Sequence, residues 1–86
     1  MNIHVSNLSA NVIGADLKRL FAIYGEVMTA VIIKDGRSGH ANGTALIDML
    51  NAKHASQAIV SLDNSIVDGK AISVHEIKYS VRNYTN

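Results

Sequence analysis

EVMTAVIIK, residues 26–34, and GTALIDM, residues 43–49, are two β-prone runs separated by Asp35-Gly36-Arg37-Ser38-Gly39. Val27, Thr29, Val31, Ile32 and Ile33 branch at Cβ and fit a pleated surface better than a helix. The glycines and Asp35 between the runs are turn formers, so the two should pair as an antiparallel hairpin. Side chains alternate along a strand. In the second run Ala45, Ile47 and Met49 face one way, and Thr44, Leu46 and Asp48 the other. In the first, Val31 and Ile33 share a side, which the pairing should set beside Leu46. The fully apolar side needs a cover, and the flanking sequence offers one.

Upstream, residues 13–24 place Leu17, Leu20, Phe21 and Tyr24 at i, i+3, i+4 and i+7, one face of a helix, with Asp16, Lys18 and Arg19 off it. Gly25 is expected to end this helix in the C′ position. Before it, residues 7–12 read as a polar turn. Residues 2–6, NIHVS, alternate Ile3 and Val5 with His4 and Ser6, a half-buried strand. Downstream, Asn51 can cap a second helix on which Ala55, Ala58, Ile59 and Leu62 repeat the helical spacing. Asp63-Asn64 stops it. Ile66-Val67 is a short extra strand before Asp68-Gly69, and residues 70–76, KAISVHE, form the last strand with Ile72 and Val74 inward. The order is β-α-β-β-α-β. It predicts an α+β, ferredoxin-like fold: a four-stranded antiparallel sheet with two helices on one face and the other face open. The domain is expected over residues 2–77, with a carboxy-terminal tail over 78–86.

Composition narrows the function. The chain has 86 residues, one domain at most, and 48% of them are hydrophobic. It has no cysteine, so neither a disulfide nor a Cys-based zinc site can staple so small a core. The first residues show neither a basic region nor an apolar run of signal-peptide type, and no segment is apolar enough to span a membrane. A cytoplasmic location is the expectation. The net charge is +1, and the basic residues are scattered, which argues against tight non-specific nucleic-acid binding. The four histidines lack ligand spacing, so no metal is expected. No nucleophile–base spacing and no glycine-rich phosphate loop leading into a helix are present. The expectation is a protein that is not an enzyme, with no catalytic residue, no cofactor and no small-molecule substrate.

Ile3-His4-Val5-Ser6-Asn7-Leu8 resembles the first-strand hexapeptide of RNA-recognition-motif domains. Asn42-Gly43-Thr44-Ala45-Leu46-Ile47-Asp48-Met49 resembles their third-strand octapeptide. Asp16-Leu17 through Leu20-Phe21 and Tyr24-Gly25-Glu26-Val27 are similar to the family's first helix and its exit. Ala58-Ile59, Leu62 and Asp68-Gly69-Lys70-Ala71-Ile72-Ser73-Val74 are similar to its second helix and last strand. The resemblance covers residues 2 to about 77.

The resemblance implies RNA binding on the open sheet face, where aromatic side chains of the family stack on two or three bases. This sequence departs from that pattern. His4 stands at the first-strand aromatic position, Thr44 and Leu46 stand at the two third-strand ones, and Asn42 replaces a basic residue. Each base–aromatic stack is worth ~1–3 kcal/mol, so single-stranded RNA should bind weakly. The residues expected to touch it are His4, Ser6, Asn7, Lys34, Arg37, Thr44 and Leu46, with His75 from the last strand. Lys70, Lys78 and Arg82 could add basic contacts near the last strand. Asp48, on the same face, would repel phosphate. The alternative is a protein-interaction module. Val31, Ile33 and Leu46 would form an aliphatic patch that pairs with a second copy as a homodimer, or is covered by the tail through Tyr79, Val81 and Tyr84.

Overall fold

The two runs pair as expected in the computed structural model of the chain, which describes residues 1–78. The tail's Tyr79, Val81, Arg82 and Tyr84 lie outside the described residues. Strand β1 spans Asn2–Ser6, helix α1 Gly14–Ala22, β2 Val27–Lys34, β3 Ala41–Met49 and α2 Ala52–Leu62. Three short strands follow: β4 Ile66–Val67, β5 Lys70–Ala71 and β6 Ser73–Glu76. The four-stranded sheet has the order β2-β3-β1-β6, every neighbouring pair antiparallel.

The β2–β3 hairpin is held in register by its turn. The Asp35 carboxylate accepts the backbone N–H groups of Arg37 and Ser38 at 2.7 and 3.1 Å. The Asp35 N–H donates to the His40 carbonyl at 2.7 Å. Strand β3 starts two residues earlier than the sequence suggests, because it carries a bulge. Ile33 faces Thr44 but Lys34 faces Ala41, so Asn42 and Gly43 are extra on one side. Gly43 takes φ +84°, a conformation that side chains resist, and its carbonyl accepts the Leu8 N–H at 2.9 Å.

Helix α1 is shorter than residues 13–24. Ile13 is still extended, at φ −112° and ψ 167°, and its N–H is accepted by the Asp16 carboxylate at 3.1 Å. At the other end Tyr24 N–H reaches back to the Phe21 carbonyl, tightening the last turn. Gly25 therefore does not serve as a left-handed C′ residue, and it is not among the glycines with positive φ. Its role is close approach. A Cβ there would lie 2.5, 2.6 and 2.7 Å from three side-chain atoms of His54 on α2.

Asn51 does cap α2, accepting the N–H groups of Lys53 and His54 at 2.9 and 3.1 Å. Beyond α2, the single last strand expected over 70–76 is broken. Residues Asp68 (φ +49°) and Gly69 (φ +81°) make a two-residue turn of the type that closes tight hairpins, so Lys70–Ala71 pairs with Ile66–Val67 rather than with the main sheet. Ile72 separates β5 from β6. Its N–H donates to Ser65, its carbonyl accepts from Asn64, and its side chain is fully buried.

The core lies between the helices and one side of the sheet. Ile3, Val5, Ala45, Ile47 and Met49 from the central strands meet Leu17 and Phe21 of α1 and Ala55 and Ala58 of α2, all fully buried. Burying each large aliphatic or aromatic side chain contributes about 1.5–3 kcal/mol. Alternation then commits the intervening residues of β1, β2, β3 and β6 to the opposite side, which no other element among the described residues covers.

Candidate functional site on the open sheet face

The strand register lines up one residue from each strand across the uncovered side. Val31 of β2 faces Leu46 of β3, Leu46 faces His4 of β1, and His4 faces His75 of β6. Beside this row, Ile33 pairs with Thr44, and Ser6 with Ser73. On the other side Thr29 pairs with Asp48, and Asp48 with Asn2. The face is thus divided. The β2–β3 half is aliphatic, with Val31 55% exposed in mid-strand, and the β1–β6 half is polar and imidazole-bearing.

Of the residues singled out from sequence, His4, Ser6, Thr44, Leu46 and His75 are brought together on this face, as are Val31 and Ile33. Lys34 and Arg37 are not in the row. They are exposed at the far end of the β2–β3 hairpin. Asn7 lies just past β1 with φ +61°, and its Nδ2 donates to the Ala71 carbonyl at 2.8 Å, fastening β5 to the end of β1. Asp48 is on the face, and its carboxylate is met at 3.2 Å by the Met1 ammonium.

The pairing of His4 with His75 was not foreseen. Their ring centroids are 5.0 Å apart with planes inclined at 49°, inside the range at which aromatic rings pack favourably. Among the described residues the face carries no Phe, Tyr or Trp, so these two imidazoles are its aromatic surface. His4 Nδ1 is buried and has no hydrogen-bond partner among the described residues. Directly opposed positions on adjacent antiparallel strands would have revealed the pair once the register was known, but nothing local to either histidine does.

At the end of the sheet where β3 begins, the β1–α1 loop and the β4–β5 hairpin border an open cleft of about 520 Å³. Asn7, Leu8, Ala41, Asn42, Thr44 and Lys70 line it. Two sets of tethers hold its walls together: Asn7 to Ala71, and the Asp68 carboxylate, which accepts from Ser9 Oγ at 2.5 Å and Asn11 Nδ2 at 3.3 Å. The Ser9 hydroxyl, and then the Asn11 amide, hold the Asp68 carboxyl below its usual pKa. The Arg37 and Ser38 N–H groups do the same for Asp35 in the hairpin turn. Sequence reading missed this cleft, although Asp68-Gly69 between Val67 and Lys70 is a hairpin signal. No group of three or more side chains able to hold a metal ion occurs among the described residues. No helix among them is long and apolar enough to cross a membrane.

Comparison with known proteins agrees with this architecture. The family profile described as the RNA recognition motif matches residues 3–73. The chain is 37% identical over 78 residues to RbpD of Nostoc sp., covering 91% of this chain and 83% of that protein. Several other relatives are longer, and the chain spans only 25% of one and 11% of another. Among solved structures, the crystal structure of RNA Binding Protein PG1 superposes with a TM-score of 0.88 at 33% identity, covering 92% of this chain and 95% of that one. A Sxl-lethal protein/RNA complex superposes with a TM-score of 0.81 at 28% identity over 88% of this chain and 47% of that one.

Proposed function

The chain belongs to the RNA recognition motif family, and from that premise we propose that it is a small protein that binds single-stranded RNA, weakly, on the open face of its sheet. The observation that carries the reading is the row Val31–Leu46–His4–His75, a line of side chains across all four strands that no helix among the described residues covers. Its chemistry sets the strength. The paired imidazoles of His4 and His75 supply one place for a base to stack or a phosphate to be met. Thr44, Ser6 and Ser73 supply hydroxyls. Leu46 and Val31 supply apolar contact without a π-face. Lys34 and Arg37, at the hairpin end, attract the RNA backbone without reading sequence. With two of three stacking side chains replaced by Thr44 and Leu46, about 2–6 kcal/mol of stacking is absent.

The test is a titration with short single-stranded RNA at physiological salt. A dissociation constant in the tens of micromolar or weaker, with chemical-shift changes centred on His4, Leu46 and His75, supports the reading. A nanomolar constant overturns its strength, and the absence of any shift on the face overturns its site.

Val31, more than half exposed in mid-strand, favours a second reading, a homodimer through Val31, Ile33 and Leu46. Light scattering decides it: the dimer requires twice the monomer mass for wild type and a monomer for Leu46→Asp. A monomeric wild type removes this reading and leaves the first intact.

A further inference from the structure

Asn42 is the one asparagine of the chain that is followed by glycine. The pair forms the bulge of β3 and has no opposite number on β2, since Ile33 pairs with Thr44 and Lys34 with Ala41. The Asn42 side chain is exposed, and its amide is held forward along its own chain. Oδ1 accepts the Thr44 N–H at 3.2 Å and also the Thr44 hydroxyl. The first of these bonds closes a loop around the Gly43 peptide and keeps Cγ on the same side of the chain as that peptide. Cγ and the Gly43 nitrogen are the two ends of a five-membered ring that runs through Cβ, Cα and the Asn42 carbonyl carbon. Gly43 has no Cβ to crowd the closure of that ring. Both Thr44 donors point at the oxygen on which negative charge would develop as the ring forms. Donors fixed in advance at such an oxygen lower the barrier to attack on its carbonyl carbon.

We propose that Asn42 is a self-modification site, at which the folded chain converts the amide to aspartate or isoaspartate through a succinimide, with Thr44 assisting. The Gly43 amide gives its proton to solvent hydroxide as its nitrogen bonds to Asn42 Cγ. The electron pair of the side-chain carbonyl moves onto Oδ1, where the Thr44 N–H and hydroxyl hold it. It then returns, the Cγ–Nδ2 bond breaks, and Nδ2 leaves as ammonia after taking a proton from water. Water opens the imide at Cγ to give aspartate, or at the main-chain carbonyl to give isoaspartate. No oxidant, metal or second protein takes part, and the proposal stands apart from RNA binding. Either product sets a carboxylate on the cleft wall that Asn42 shares with Lys70. Isoaspartate also lengthens the backbone by one methylene directly before Gly43, whose carbonyl accepts the Leu8 N–H at 2.9 Å. That bond anchors the β1–α1 loop to β3, and the longer bulge releases it. The age of a molecule is thereby written as a charge and a loosened loop at one end of the sheet.

The experiment incubates the full folded chain at neutral pH in heavy-oxygen water and follows every asparagine by peptide mass spectrometry. The mass change of an amide-to-acid conversion carrying one heavy oxygen should appear at Asn42 before any other asparagine. Its rate should be no lower than that of a free peptide spanning residues 38–48, in which no fold holds Thr44 against the amide. Thr44→Val keeps the branched shape and the backbone donor but removes the hydroxyl. It should slow conversion in the folded chain by roughly 3- to 10-fold, the worth of one ordinary hydrogen bond, and leave the peptide's rate unchanged. Thr44→Ser restores a hydroxyl and should convert like wild type, which keeps the test decisive if the valine variant packs poorly. In the isoaspartyl fraction, separated by chromatography, the Leu8 amide should exchange with solvent faster than in the unconverted chain. A folded chain that converts more slowly than the peptide would overturn the proposal. So would a Thr44→Val variant that converts at the wild-type rate, or a Thr44→Ser variant as slow as Thr44→Val. An unchanged Leu8 amide would overturn the release of the β1–α1 loop.

Discussion

The two sides of the one sheet obey different constraints, although they are built from alternate residues of the same strands. On the helix side, Ile3, Val5, Ala45, Ile47 and Met49 are fully buried and meet both helices. On the open side, their immediate neighbours His4, Ser6, Thr44, Leu46 and Asp48 meet no second layer among the described residues. The first set is fixed by packing, where a missing methylene is felt throughout the core. The second set is free to change with little effect on the fold, so binding chemistry can be rewritten there while the scaffold persists. This chain shows that separation directly: the helix side keeps the pattern of its family and the open side departs from it.

The sharpest way to break the comparison is to cut the same kind of side chain from each side. Phe21→Ala removes a fully buried ring and should cost about 3–5 kcal/mol in urea unfolding. Leu46→Ala should cost less than about 1 kcal/mol by the same measurement. A Leu46→Ala loss as large as that of a core truncation would mean the open face is covered in solution.

The next effect concerns what the open face lacks. Thr44→Tyr with Leu46→Phe adds two π-faces beside His4 in the register observed, and each stack is worth ~1–3 kcal/mol. RNA affinity of the folded double variant should rise at least about tenfold in a fluorescence titration. An unchanged affinity would show that the face is obstructed rather than merely short of aromatics.

A smaller contrast lies in two glycines. A Cβ on Gly14 would sit 2.8 Å from the Ala30 carbonyl oxygen, which is backbone of β2. Gly14→Ala should lower stability by about 1–3 kcal/mol. Gly36, in the hairpin turn, has open space around its Cβ position and no positive φ. Gly36→Ala should leave stability unchanged or raise it by up to about 1 kcal/mol, because it restricts the unfolded chain. Thermal midpoints of the two variants measured side by side give the answer.

The smallest effect is pH-dependent. The folded-state pKa of Asp68 lies below the ordinary value of 3.8, so its contribution to stability is fully present above that pH. It is lost as pH falls through the folded pKa. Asp68→Asn should therefore change the urea midpoint at pH 6 and have a progressively smaller effect below about pH 4. A difference between variant and wild type that is the same at pH 3 and pH 6 would show that the carboxylate's charge does not hold the β1–α1 loop.

The hairpin, both helices and the assignment of residues to the two sides of the sheet were legible from the sequence because they rest on periodicity. A period of two along β2 and β3 and the i, i+3, i+4, i+7 spacing of Leu17 and Phe21 are local signals. What escaped reading is non-local. Gly25 is a glycine because His54, on a different element, passes over it. The last strand is interrupted because Ile72 bonds back to Ser65 and Asn64. Asn7 and Ala71 meet across 64 residues, and without that contact neither the cleft nor the place of Lys70 in it can be inferred.

The sheet order β2-β3-β1-β6 places the first strand of the chain in the interior of the sheet. β1 pairs with residues 45–48 on one side and residues 73–76 on the other. During synthesis at about 5–20 residues per second, it waits several seconds for its second neighbour. The β2–β3 hairpin can close locally long before that, and β1 can then pair with β3 on one side while its other edge stays unpaired. Vectorial synthesis therefore makes the earliest strand of this domain one of the last to be paired on both edges.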